Sequence, residues 1–320
     1  MEVLVSDPFD VLTMGRVGVD LYPTTPGSLV DVRFFEKFLG GSPANVAVAA
    51  ARLGQRSAII SRTGGDSLGE FIHSALRGYG VDDQFVRSVD GFQTPITLCE
   101  LFPPDHFPLL FYRSPKAPDL EIFPDELDAS SIESARLFWA TGSGLSVEPS
   151  RSTTMSALRL RRRRHPTVLD LDYRPTFWPS RKDARDAVAD ALDLVTVAIG
   201  NLDEMQTAVA TTDPELAVER LLQRGVTIAI VKLGPDGVLA QTRDESVHVK
   251  SIPVTVVNGL GAGDGFGGAL CHGLLSGWSL EKTLQTANAA GSIVASRLSC
   301  SDAMPTIEEI DEALERTNRA

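Results

Sequence analysis

The densest chemistry in the sequence lies in Asn258-Gly-Leu-Gly-Ala-Gly-Asp-Gly-Phe-Gly-Gly268, which follows the strand-like run Val254 to Val257 and opens into the apolar helix ALCHGLL. A glycine-rich turn from a strand into a helix presents unpaired N–H groups and the positive end of the helix dipole, so it favours an anion. Two readings of the anion compete. Gly263, Gly265 and Gly268 satisfy the G-x-G-x-x-G fingerprint of a dinucleotide fold. In that arrangement, however, Asp264 faces the pyrophosphate, and no acid follows at the distance a ribose needs. In the other reading Gly261, Ala262 and Gly263 cradle a transferring phosphoryl group. Asp264 then stands beside it, placed to take a proton from an attacking hydroxyl. The plainer alternative makes Asp264 a helix cap. The chain has no GxxxxGK[ST], HRD or DFG, which excludes a P-loop NTPase and a protein kinase.

A second cluster is Gly40-Gly-Ser-Pro-Ala-Asn45, opening the helix VAVAAARLG. Gly40 and Gly41 let a ligand approach the backbone, and Asn45 offers a donor and an acceptor suited to sugar hydroxyls. An ordinary turn before a helix is the alternative. Two arginines follow strand-like runs: Arg113 in Phe111-Tyr-Arg113, and Arg174 in Asp170-Leu-Asp-Tyr-Arg-Pro-Thr-Phe-Trp178. A guanidinium fork receives a carboxylate through two parallel hydrogen bonds, and a neutral sugar would not need two of them. Alternatively, Arg113 pairs with a lid acid and Arg174 serves phosphates only.

These residues need a scaffold, and the pattern supplies one. Strand-like runs at Asp10–Gly15, Ser57–Arg62, Leu137–Thr141, Thr167–Asp172, Leu194–Ile199 and Ile228–Leu233 alternate with helical segments at Pro43–Leu53, Leu68–Arg77 and Ser150–Arg164. Such alternation predicts βαβ units and a mostly parallel sheet covered on both faces. Helices dominate the C-terminal third, over Ala262–Ser276, Leu280–Arg297 and Ile307–Glu315. Two stretches, about 17–38 and 93–114, carry short β-like runs (VDVRFF, TPITLCELF, LLFYR) between prolines and predict a small sheet lying over the main one as a lid. ITLCELF alternates like a half-exposed antiparallel strand. With no repeat and no low-complexity linker, residues 1–320 read as one α/β domain with an inserted lid.

Composition narrows the function classes. The chain has 320 residues, of which 43% are hydrophobic and 22% charged, enough for a sizeable core. A net charge of −12 argues against non-specific nucleic-acid binding. The basic run Arg159 to Arg164 reads as a solvated helix end. Cys99, Cys271 and Cys300 form no CxxC and read as buried, reduced thiols of a cytoplasmic protein. The five histidines lack metal spacing. Neither a signal peptide nor a membrane span is expected.

GGSPANVAVAAARLG and GLGAGDGF, about 220 residues apart, resemble the two signatures of the PfkB, or ribokinase-like, carbohydrate kinases, and the resemblance runs through essentially the whole chain. Gly200-Asn-Leu-Asp-Glu204 is similar to the family's Asn-x-x-Glu segment near Mg–ATP, which implies nucleotide contact at Asn201 and a metal role for Glu204. Val231-Lys-Leu-Gly-Pro-Asp-Gly237 resembles its nucleotide turn, implicating Lys232, Gly234 and Gly237. Ala287-Asn-Ala-Ala-Gly291 resembles the helix beside the adenine pocket, implicating Asn288. Asp20, in GRVGVD, matches the family's sugar-binding Asp. The resemblance implies a ribokinase-like three-layer core with a β-sheet lid, ATP and Mg2+, and transfer to a primary hydroxyl. Asp264 would be the base and Gly261 to Gly263 the anion hole. It also makes K+ beside the glycine loop and a homodimer through the lid possible, although Asn258-Gly-Leu260 replaces the usual Asp-Thr-Thr.

The Arg113 and Arg174 segments look like those of members that phosphorylate sugar acids. The lid loop Phe102–Pro108 and the ending SRLSCSDAMPT are most like one such kinase, whose acceptor is a deoxy keto acid phosphorylated on its 6-hydroxyl. Arg113, Arg174, Lys232 and Mg2+ would then neutralise two anionic substrates in an acidic protein. The rivals are 2-keto-3-deoxygluconate or fructose as acceptor, a nicotinamide oxidoreductase resting on G-x-G-x-x-G alone, and an idle sugar-responsive regulator, against which the intact Asp264 counts.

Overall fold

The structure, a computed structural model, describes residues 8–319; most of the opening segment read as carrying no signal peptide lies outside them. The chain begins with β1 (Val11–Met14), leaves the core for β2 (Gly18–Pro23) and β3 (Phe35–Gly40), and returns through α1 (Ser42–Arg52), β4 (Ser57–Gly64), α2 (Ser67–Gly78), β5 (Val81–Asp82) and β6 (Val86–Val89). A second excursion gives β7 (Ile96–Cys99) and β8 (Leu109–Tyr112). Alternation then runs through α3 (Ala129–Ser134), β9 (Leu137–Thr141), α4 (Ser150–Arg161), β10 (Thr167–Asp170), α5 (Arg181–Leu192), β11 (Val197–Asn201), α6 (Leu202–Val209), α7 (Pro214–Gln223) and β12 (Ile228–Lys232). The hairpin β13 (Val238–Gln241) and β14 (Ser246–Val249) precedes α8 (Ala262–Leu275), α9 (Leu280–Ala295) and α10 (Ile307–Arg319).

Ten strands form the main sheet in the order β14-β13-β12-β11-β10-β9-β1-β4-β5, with β6 also on β4. All its pairs are parallel except β12–β13 and β13–β14. Because side chains alternate across a strand, each inner strand feeds two cores. In β9, Phe138 and Ala140 pack toward α4 and α5, while Leu137 and Trp139 pack toward α1, α8 and α9. The result is three layers. Burial of each such Leu, Phe or Trp contributes about 1.5–3 kcal/mol.

A separate four-stranded sheet, β3-β2-β7-β8, is built from the two excursions. Its position is close to that expected, but its strands differ in detail. VDVRFF is mostly a turn, with Asp31 and Val32 donating to Ser28 O, and β3 starts only at Phe35. Val30 and Phe34 are exposed, so their apolar character finds no partner strand. Only Ile96–Cys99 of ITLCELF is strand, and it pairs parallel with β2 and antiparallel with β8.

Two further expectations fail. Val254–Val257 is not a strand: Val254 and Val257 are each 38% exposed, and the N–H groups of Val257 and Asn258 bond to Ala295 O at the end of α9 instead of to a ladder. The basic run is not simply solvated either. α4 stops at Arg161, which is 1% exposed and donates to the carbonyls of Ile132 and Ala135, with burial pushing its pKa down to about 10. A guanidinium buried this way satisfies carbonyls that no water reaches.

Candidate active site

α8 is preceded at its N-cap by Gly261, whose φ of +80° and proximity to Cys300 (an added Cβ would lie 2.6 Å from its Sγ) admit only glycine. The N–H groups of Ala262 and Gly263 find no carbonyl among the described residues, as a helix start requires, and remain available to an anion. Asp264 does not cap the helix. One of its oxygens accepts from Ser42 Oγ at 2.7 Å and the other from Asn45 Nδ2 at 2.8 Å, both on the first turn of α1. Burial raises its carboxyl to about 6, even though both hydrogen bonds favour the charged form. Asp264 is therefore a fixed, partly desolvated carboxylate beside free amides, able to accept a proton near neutral pH.

α1 and α8 can lie this close because Gly268 faces Ala49. A Cβ at Gly268 would sit 2.2 Å from Ala49 Cβ. Gly40 and Gly41 bring β3 to the start of α1, and a Cβ at Gly40 would sit 2.1 Å from Asp20 Oδ1. Asp20, on β2, accepts from Tyr22 at 3.3 Å and from Thr97, and burial raises its carboxyl to about 6.

Asp20, Gly41, Asn45, Arg113, Arg174, Gly261 and Asp264 line one cleft between the small sheet and the main one. Arg113 pairs with Asp119, as the alternative reading allowed, although Asp119 is a fully buried residue beyond the lid. Arg113 lines the cleft all the same. Arg174 donates to Asp172 at 3.0 Å. Arg16, which sequence reasoning gave no role, also lines the cleft and donates to Asp172 at 2.7 Å. Burial opposes ionisation of Asp172, but Arg16 and Arg174 outweigh it and hold the carboxyl at about 2.

The residues expected on the nucleotide side sit at the C-terminal ends of neighbouring parallel strands, where ligands of open α/β sheets collect. Asp170 ends β10, Asn201 ends β11 and Lys232 ends β12, with Asn201 opposite Lys232 in the register. Lys232 Nζ lies 3.8 Å from Asp170 and would meet a Cβ at Gly263 at 3.2 Å, so it joins this group to the glycine loop. Asn201 and Glu204 form a capping box at the start of α6, with Asn201 N donating to Glu204 at 2.7 Å. Burial raises Glu204 to about 7 and raises Asp170 as well, with Lys232 opposing both. Gly234 and Gly237 bracket the turn from β12 to β13. Asn288 lies farther out on α9, its amide donating to Lys250 O at 2.7 Å.

No group of three His, Cys, Asp or Glu is placed to hold a metal among the described residues. Beside the glycine loop, buried Asn258 donates to Leu298 O at 2.7 Å and accepts from Leu260 N at 3.1 Å. A neutral amide thus bridges the two loops. Cys99, Cys271 and Cys300 are free and buried, and no helix among the described residues is long and apolar enough to cross a membrane.

Residues 9–307 match the family described as pfkB family carbohydrate kinase. The chain is 32% identical over 317 residues to the 5-dehydro-2-deoxygluconokinase of Clostridium perfringens, covering 96% of this chain and 93% of that protein. It is 33% identical over 321 residues to the enzyme of the same name from Geobacillus thermodenitrificans, covering 98% and 95%. Among solved structures, a fructokinase with bound ATP from Xylella fastidiosa superposes with a TM-score of 0.85 at 23% identity, covering 97% of this chain and 99% of that one.

Proposed function

Since the chain belongs to the pfkB family of carbohydrate kinases, we propose that it transfers the γ-phosphoryl group of ATP to the 6-hydroxyl of 5-dehydro-2-deoxy-D-gluconate. One observation carries the reading. Asp264, fixed by Ser42 and Asn45, shares a cleft with the arginines that a sugar acid needs. The hydroxyl oxygen bonds to the γ-phosphorus, its proton passes to Asp264, and the bond to the bridging oxygen breaks to release ADP. The N–H groups of Ala262 and Gly263, with Lys232, stabilise charge on the phosphoryl oxygens. Asp20 and Asn45 orient the sugar, Arg113 meets its carboxylate, and Arg174 stands between the acid and the phosphates. Asn201, Gly234, Gly237 and Asn288 belong to the nucleotide side.

Mg2+ carried on the nucleotide would neutralise phosphate charge. Glu204 and Asp170, carboxylates within electrostatic reach of each other, would hold it there. Beside the glycine loop, K+ would meet the neutral Asn258 amide, which already takes up the Leu298 carbonyl. Exposed Leu110 and Tyr112 on the edge strand β8 support pairing of two copies through the lid, which sedimentation would test.

The deciding experiment is ADP release with Mg–ATP and three acceptors. Preference for 5-dehydro-2-deoxygluconate supports the proposal. Preference for 2-keto-3-deoxygluconate keeps the acid reading and replaces the substrate. Fructose alone removes the role of the arginines, and no ADP with any acceptor favours an idle regulator.

A further inference from the structure

Arg16 is 6% exposed, yet two side-chain oxygens hold it: Nε donates to Ser143 at 3.0 Å and Nη2 to Asp172 at 2.7 Å. The remaining N–H groups, including both on Nη1, have no protein acceptor among the described residues, and Arg16 lines the substrate cleft. Arg113 faces the same cleft. One aromatic ring relates the two: the guanidinium carbons of Arg16 and Arg113 lie 5.4 and 5.3 Å from the centroid of Phe177, which Phe111 braces edge-on at 5.1 Å. One carboxylate relates them as well. Asp119 pairs with Arg113 and accepts the backbone N–H of Val17 at 3.1 Å, tying Arg113 to the segment that carries Arg16.

Two carboxylates, Asp119 and Asp172, are the direct ion-pair partners of three guanidiniums. Asp20 lines the cleft too, but Tyr22 and Thr97 hold it instead of a guanidinium. Arg174 lies within electrostatic reach of Glu204, Asp170 and Asp264, the carboxylates of the transfer side, whereas Arg16 is the cation within reach of Asp20 on the sugar side. Asp172, which joins Arg16 to Arg174, holds a φ of +32°, a backbone state in which a non-glycine residue persists only when its surroundings enforce it.

We propose that Arg16 is a specificity-determining residue: with Arg113, across the Phe177 ring, it receives the carboxylate of the acceptor, while Arg174 serves the transferring phosphoryl group. This rests on the sugar-acid reading above. A carboxylate bound there supplies the third anion for three cations and takes up donors that the protein leaves open. A neutral acceptor leaves the fork unpaired, so the site rejects sugars that lack the acid.

The test is steady-state kinetics of wild type, Arg16→Gln and Arg16→Lys with 5-dehydro-2-deoxygluconate and with its neutral primary amide. Wild type should prefer the acid by at least an order of magnitude. Equal use of acid and amide by wild type would defeat the sugar-acid reading itself. If wild type prefers the acid, Arg16→Gln should raise the acid's KM about 10–100-fold, the loss expected for a charge-assisted pair, leave the KM for ATP within about threefold, and erase the preference over the amide. A variant that retains the preference overturns the assignment. So does one that loses acid and amide equally, since Arg16 would then only support Asp172. Should Arg16→Gln fail to fold by thermal melting, Arg16→Lys decides the matter, because it keeps the charge beside Asp172 and lacks the fork. A preference reduced about tenfold supports the inference, and an unchanged one overturns it.

Discussion

Replacing Gly268 with alanine tests whether helix spacing places the base. The added Cβ would lie 2.2 Å from Ala49 Cβ and 2.9 Å from the Ala49 carbonyl carbon. Carbon atoms rest at about 3.5–4.0 Å, so α8 must withdraw from α1 by about 1.5 Å at that point. Asp264 precedes Gly268 by one helical turn, about 6 Å along the axis and on the same face. A comparable displacement there stretches the 2.7 and 2.8 Å bonds to Ser42 and Asn45 beyond hydrogen-bond range. Misplacement of a reacting group by about 1 Å costs about 100-fold in rate. Stability changes far less: overpacking costs about 1–3 kcal/mol, offset by about 1 kcal/mol of helix propensity. Gly268→Ala should therefore lose about 100-fold in kcat/KM for a fall of a few degrees in Tm. Gly273, on the same helix but packed against Thr283, is the control, and Gly273→Ala should lower Tm with little effect on rate. A folded Gly268→Ala enzyme within threefold of wild-type kcat/KM would refute the argument.

Other outcomes follow from the same geometry. Asp264→Asn should cut kcat by several orders of magnitude. The folded Asp264 carboxyl is raised to about 6 from an ordinary 3.8, so the native state binds more protons than the unfolded chain between these values and loses stability as pH rises through them. Asp264→Asn should then melt above wild type at pH 8, with the gap closing by pH 4; a gap that grows on acidification contradicts the burial argument. Wild-type kcat/KM should fall on the acid side with a limb near pH 6, where Asp264 and Asp20 protonate, and a flat profile down to pH 4.5 would exclude both as ionised participants. Gly40→Ala drives a Cβ against Asp20 and should raise the acceptor KM about tenfold or more, with the KM for ATP nearly unchanged. Exchanging K+ for choline should leave the rate within twofold, since the Asn258 amide already bridges to Leu298; a tenfold loss would overturn that reasoning.

The glycine loop and the GGSPAN turn were legible because their chemistry is local: a few adjacent residues set the turn, the helix start and the polar group. The layered core was legible for the same reason, through alternation along single strands. Contacts between remote segments were not. Arg16 gave no signal, since its partners Ser143, Asp172 and Phe177 lie more than 120 residues away. Asp172 was visible in the segment that carries Arg174, but its grip on two guanidiniums was not. Val254 and Val257 misled because β-branched residues indicate only what could pair, while the strand partner that would bury them is absent. Arg161 misled in the opposite sense: a run of five arginines suggests solvent, yet the chain turns this one inward to buried carbonyls.

The bond from Ser42 to Asp264 spans 222 residues, and that from Asn45 spans 219. Closing so long a loop has an entropic cost, and contacts of high sequence separation form late. The strands and helices between them must be in place before α8 can settle on α1. During synthesis the base emerges more than 200 residues after Ser42 and Asn45, so chains that stop short of it carry the sugar-side half of the cleft without the power to use it. On refolding, the return of phosphoryl transfer should coincide with the last cooperative step and lag behind the recovery of helical signal.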